Sequence, residues 1–193
     1  MMIAPKRMSS GRYLDLGELN EEDIDIKDIN TALNYIYRFT GHHKDKEPLT
    51  VAQHSALVLN LSKRLFPHEA DVQLHCLMHD WPEAYYGDVA TPLKRLMKKW
   101  YTDYTHKVDK LVYDKYYHFS MNEEVEQKCK ICDLLALDIE RRAMWKDQRG
   151  KELWPENPME VMSLKEKLSL FDTYQSNRYF DLEELYKEFV NDK

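Results

Sequence analysis

Along most of this chain apolar residues recur every three to four positions, the spacing of one face of an α-helix. The pattern predicts a helix from Asp25 to about Phe39, with Ile29, Leu33, Ile36 and Tyr37 on one face and Gly41 as its stop. After the polar stretch His42 to Pro48, Thr50-Val51-Ala52-Gln53 matches a capping box, in which the threonine hydroxyl and the glutamine side chain satisfy orphan backbone N–H groups. That helix runs to about Phe66, striped by Val51, Val58, Leu61 and Leu65. Pro67 separates it from a third helix, about Glu69 to Trp81, whose inner face carries Val72, Cys76 and His79. Pro82 opens a turn that ends near Gly87; a short helix starts at Pro92-Leu93, and another spans about Asp103 to Tyr117. The longest extends from Asn122 to about Lys146, with Val125, Cys129, Cys132, Ala136, Ile139 and Ala143 as its stripe. Two further helices are expected at about 163–171 and 181–190.

No segment alternates like a strand, and no repeat or low-complexity linker interrupts the pattern. The expectation is an all-α helical bundle forming one domain over residues 1–193, with an irregular lead-in (1–22), a core of about 23–146 and C-terminal helices in 147–193. Only 5 glycines and 7 prolines occur in 193 residues, so long helices meet few breakers.

Charge narrows the partners. A net charge of −6 gives no general attraction for a nucleic-acid backbone, so no nucleic-acid polymer is expected. Local cation clusters (Lys94-Arg95, Lys98-Lys99, and Lys128 with Lys130) leave a small anionic ligand open. No apolar run is long enough to span a bilayer, and the first residues lack the apolar core of a secretory signal. Three cysteines without a framework spacing suit a reducing, cytoplasmic location. Cys129-Lys130-Ile131-Cys132 is a C-x-x-C, readable as a redox pair or half a zinc site, but its place inside a long helical pattern favours core packing.

Polar residues on apolar stripes call for an explanation, because an unpaired buried polar group costs on the order of 1–3 kcal/mol. His54, His79 and Asp133 are such residues on three different helices, and Asp80 adds a carboxylate beside His79. Two imidazoles and two carboxylates converging in a helical core suit a borderline divalent cation.

With these segments the chain resembles the HD-domain phosphohydrolase superfamily, whose pattern is H…HD…D on an all-helical core. The resemblance covers Asp23 to about Arg142 and rests on Asp25-Ile26-Lys27-Asp28-Ile29, Tyr37-Arg38-Phe39-Thr40-Gly41-His42, Val51-Ala52-Gln53-His54-Ser55, His79-Asp80-Trp81-Pro82-Glu83-Ala84-Tyr85, Gly87-Asp88, Thr91-Pro92-Leu93-Lys94 and Asp133. The similar branch contains bacterial 5′-deoxynucleotidases and phage DatZ-type dATP triphosphohydrolases. The resemblance implies that His54, His79, Asp80 and Asp133 ligate a divalent ion (Co, Zn, Mn, Fe or Ni), that Glu83 is the catalytic carboxylate, and that Asp88 is an acidic group near the sugar. It likewise implies substrate contacts for Arg38 and Phe39, the latter where the family commonly has tryptophan, and polyphosphate contacts for Lys94 and Lys130.

The implied activity is hydrolysis of a deoxynucleotide, foremost dATP to deoxyadenosine and triphosphate, in the cytoplasm of a bacterium or a phage-infected cell. A homo-oligomer is expected, with no membrane partner. Hydrolysis of deoxynucleoside monophosphates, a nucleotide-sensing HD domain without turnover, and a structural zinc site using the i, i+4 pair His75 and His79 stand as rivals.

Overall fold

The computed structural model describes residues 2–43, 46–147, 149–157 and 159–190, without the side chains of Lys98 and Trp100. Among these residues the chain is 62% helical, an all-α bundle with one small hairpin. The helices are α1 (Ile26–Leu33), α2 (Val51–Leu65), α3 (Ala70–Met78), α4 (Glu83–Tyr86), α5 (Thr91–Tyr116), α6 (Glu123–Met144), α7 (Leu164–Ser176) and α8 (Leu182–Val190).

Helices α2, α3 and α6 pack on one another, and α7 closes against α2 and α6. Their shared core holds Val58, Leu61, Val72, Ile139 and Phe171, together with all three cysteines, which are free thiols. The C-x-x-C therefore lies among core side chains, as its place in the α6 stripe predicts. A second core joins α1, α4, α5 and α8 around Ile29, Leu33, Trp81, Val112 and Leu182. No described helix is long and apolar enough to cross a membrane.

The α2 capping box is formed: Thr50 Oγ1 accepts from Gln53 N, and Gln53 Oε1 accepts from Thr50 N at 2.7 Å. A Thr50→Ala variant is expected to lose about 1 kcal/mol of stability, read as a lowered urea midpoint at unchanged slope; an unmoved midpoint would mean that packing alone sets this helix start.

Three expectations need correction. The lead-in is not irregular: β1 (Pro5–Arg7) and β2 (Tyr13–Asp15) form an antiparallel hairpin with Lys6 opposite Leu14. Three-residue strands are too short to show alternation, and this hairpin is held by side chains far along the sequence. Ser9 Oγ and Ser10 N donate to Asp28 Oδ1 at 2.6 and 2.7 Å, and Lys6 Nζ donates to the carbonyls of Ala84 and Tyr85 in α4. Next, α1 ends at Leu33 rather than near Phe39. Beyond it Tyr37 pairs with Thr50 in a β-bridge, so the chain is extended where the apolar spacing suggests helix, and Tyr37 is exposed. Finally, the two helices expected between Pro92 and Tyr117 are one, α5. Its only proline sits in the first turn, where a missing N–H is harmless, and no glycine follows to break it.

Candidate metal centre

Three helices bring the chemistry together. His54 stands one turn into α2, fully buried; His79 and Asp80 follow the C-terminus of α3; Asp133 lies midway along α6. His54 Nε2 and His79 Nε2 are 3.2 Å apart, and Asp80 Oδ2 is 3.5 and 3.3 Å from them respectively. These three atoms form a group able to hold a metal ion. Asp133 Oδ1 is 3.4 Å from His54 Nε2, at the margin of the group, while its Oδ2 accepts from Lys130 Nζ at 2.6 Å.

The ring orientations favour a cation. His54 Nδ1 is 2.6 Å from Glu140 Oε1, and His79 Nδ1 is 2.9 Å from the Cys76 carbonyl. A carboxylate and a carbonyl can only accept, so each Nδ1 carries the hydrogen and each neutral imidazole turns its Nε2 lone pair inward. The two lone pairs then face each other at 3.2 Å beside Asp80 Oδ2, an arrangement of acceptors. This mixed nitrogen and oxygen set fits a divalent ion.

Without a cation, protons take up this charge. Burial opposes the charged form of His54 and His79. For His79 the neighbouring Asp80 overcomes this and lifts the ring well above its ordinary value; for His54, Glu140 and Asp133 overcome both burial and Arg38. Burial likewise opposes the ionised Asp80 and Asp133, but His79 acting mainly on Asp80, and His54 on Asp133, hold both carboxyls below their usual range.

Glu140 is the residue that the sequence reading missed. It is wholly buried and joins two site groups, accepting from His54 Nδ1 and from Arg38 Nε at 3.1 Å. A signal was present: Glu140 follows Asp133 by seven residues, two helical turns, so both share one face of α6. Arg38 is accordingly tied inside the site, its Nη1 3.4 Å from Asp80 Oδ2, rather than free to meet a ligand with its whole fork.

A cavity of about 1060 Å³ opens over the cluster, lined by the remaining expected residues. Glu83, at the start of α4, is 3% exposed; its Oε1 meets Lys94 Nζ at 3.3 Å, and its buried Oε2 has no hydrogen-bond partner. Burial, then the charges of Asp80 and Asp88, push the Glu83 carboxyl well up despite Lys94 and Arg38. Asp88 follows Gly87, whose φ of 85° makes the turn; burial raises its carboxyl too. Lys94 and Lys130 both line the cavity, but each is paired with a site carboxylate. Phe39 lines it from the short turn Arg38–Gly41. His75 does not join His79 in a metal group: its Nδ1 lies 2.7 Å from the Tyr113 hydroxyl, and the inward nitrogen of His79 faces His54 instead.

Fold and site together define an all-helical protein with a candidate divalent-metal centre at the floor of a deep cavity. No profile of a known protein family matches the chain. It is 35% identical over 146 residues to the uncharacterized protein YfdR of Escherichia coli (strain K12), an alignment covering 76% of this chain and 74% of that one. It is 38% identical over 104 residues to the uncharacterized protein RCAP_rcc00048 of Rhodobacter capsulatus, covering 53% of each, so the match spans about half of that relative. The chain belongs to the family of YfdR.

Proposed function

We propose that the protein is a metal-dependent phosphohydrolase of HD type acting on a small deoxynucleotide, foremost dATP. The carrying observation is the convergence of His54 Nε2, His79 Nε2 and Asp80 Oδ2 in a cavity that also holds the buried, half-partnered Glu83.

A dication held by His54, His79, Asp80 and Asp133 would supply Lewis acidity toward a phosphoryl oxygen and make water a better nucleophile at neutral pH. The chain's own groups account for the rest. In hydrolysis a water oxygen bonds to the α-phosphorus, the bond from phosphorus to the 5′ oxygen breaks, and that oxygen needs a proton. Glu83 suits this donor role, because burial and its acidic neighbours push its carboxyl up toward the protonated form and its buried Oε2 has no hydrogen-bond partner. Asp88 can take the proton released by the attacking water, and Arg38 sets a fixed positive charge beside Asp80. Lys94, Arg95 and Lys130 at the cavity wall would balance a polyphosphate.

One observation favours a second reading, a 5′-deoxynucleotidase: Lys94 and Lys130 already have carboxylate partners, which leaves less cationic charge for a triphosphate. Incubation with each dNTP and dNMP in Co²⁺, Mn²⁺ or Zn²⁺, with products separated by anion exchange, decides between them. Deoxyadenosine with intact triphosphate from dATP supports the first reading, and a Lys130→Ala variant should then raise the KM for dATP about tenfold, the loss of one charge-assisted contact. Orthophosphate from monophosphates alone establishes the second. Silence on every substrate and metal ends both.

A further inference from the structure

The cavity lining is of two chemical kinds. Beside the charged groups part of its wall is aromatic: Phe39, Trp145 and Trp154 line it, as do Leu137, Leu153 and Pro155. The Phe39 ring meets Trp145 edge-on at 5.1 Å between centroids and Trp154 at 6.0 Å, and the two indoles lie 5.8 Å apart. Three rings in mutual contact form one continuous surface.

Three separate pieces of backbone deliver it. Trp145 ends α6, with its N–H bonded to the Arg141 carbonyl and its own backbone already extended. Trp154 ends a short 3-10 turn, Lys151–Leu153. Phe39 and the following Thr40 sit in the left-handed region, at φ 56° and 55°, which side-chain-bearing residues rarely adopt. Such a pair persists only where its surroundings over-determine it, and it clusters where ligands are held. Leu153, 84% exposed at the rim, extends the apolar surface outward. A packing cluster that only pinned the segment after α6 would have no need to face the metal cavity.

Arg38 is a near neighbour of both the charged cluster and the rings. Its Nη1 lies 3.4 Å from Asp80 Oδ2, and its guanidinium carbon lies 5.4 Å from the Phe39 ring centroid. The cluster and the rings therefore border one cavity and are linked by a single side chain.

We propose that Trp145 and Trp154, with Phe39, form a subsite for a planar aromatic heterocycle, the base of a mononucleotide. The inference rests on the phosphate-ester reading above for the other end of the ligand. Aromatic faces stack on any base, so this wall sets the class, nucleotides over base-free sugar phosphates, rather than a choice among bases.

The test compares wild type with Trp154→Leu, which removes the ring, and Trp154→Phe, which keeps one. Each is assayed in Mn²⁺ on dAMP, dATP and base-free 2-deoxyribose 5-phosphate, with the Tm of each recorded. For Trp154→Leu the KM of the preferred nucleotide should rise about tenfold or more, with kcat retained, the sugar phosphate unaffected and Trp154→Phe close to wild type. A nucleotide KM that stays put while Tm falls, or equal losses on nucleotide and sugar phosphate, would overturn the subsite. If wild type hydrolyses nothing, the phosphohydrolase reading fails on its own. The subsite is then judged by equilibrium dialysis with deoxyadenosine: binding that Trp154→Leu weakens about tenfold sustains it, and no binding by wild type ends it.

Discussion

An Asp80→Ala variant is expected to emerge from dialysis without its metal and without hydrolytic activity, yet with its helical content intact. Asp80 Oδ2 is the carboxylate oxygen that reaches both imidazole nitrogens, at 3.3 and 3.5 Å. Asp133 does not replace it, because one of its oxygens is tied to Lys130. The side chain is partly exposed to the cavity and fills no core space, so its loss leaves little void. The fall in metal affinity should exceed the roughly 10- to 100-fold typical of outer-shell partners. Metal analysis after dialysis, circular dichroism and the nucleotide assay together check this. Full metal content with normal turnover in this variant would remove the proposed centre.

Glu140 carries the second large effect. Glu140→Gln keeps the shape and can still accept from His54, but it takes away the negative charge that balances Arg38 and orients the ring. Metal affinity measured by chelator competition should fall about 10- to 100-fold with the fold retained. Glu140→Ala should also destabilise the protein, by about 3–5 kcal/mol, because Arg38 and His54 are left buried beside an empty space. Wild-type metal affinity in Glu140→Gln would show that the α2 backbone alone aims His54.

The ligand candidates were legible because each is a polar residue on an apolar face, a pattern that burial makes costly unless the group is used. The same rule would have exposed Glu140, set between Ile139 and Ala143, had the face of Asp133 been followed two turns further. Helix starts were legible where a local device writes them, as at Thr50 with Gln53, Asn122, and Ser163 with Glu166. What stayed hidden depends on distant partners. The early end of α1 follows from Tyr37 meeting Thr50 and from Asn34, whose side-chain amide donates to the Phe180 carbonyl across 146 residues. Likewise Lys167 reads as a solvated lysine of α7 but is buried against Asp138 at 2.8 Å, a pairing that sequence spacing alone does not reveal.

The hairpin's grip on α4 bears on how the protein is handled. Lys6 holds the carbonyls of Ala84 and Tyr85, in the same single turn that aims Glu83. The hairpin is thus a buttress for that turn rather than a dispensable leader. A protease nick between Met8 and Gly11, or a fusion partner crowding β1, would be transmitted across some eighty residues of sequence to Glu83 in the cavity wall. Such a preparation would look well folded and still, under the proposed phosphohydrolase activity, turn over slowly.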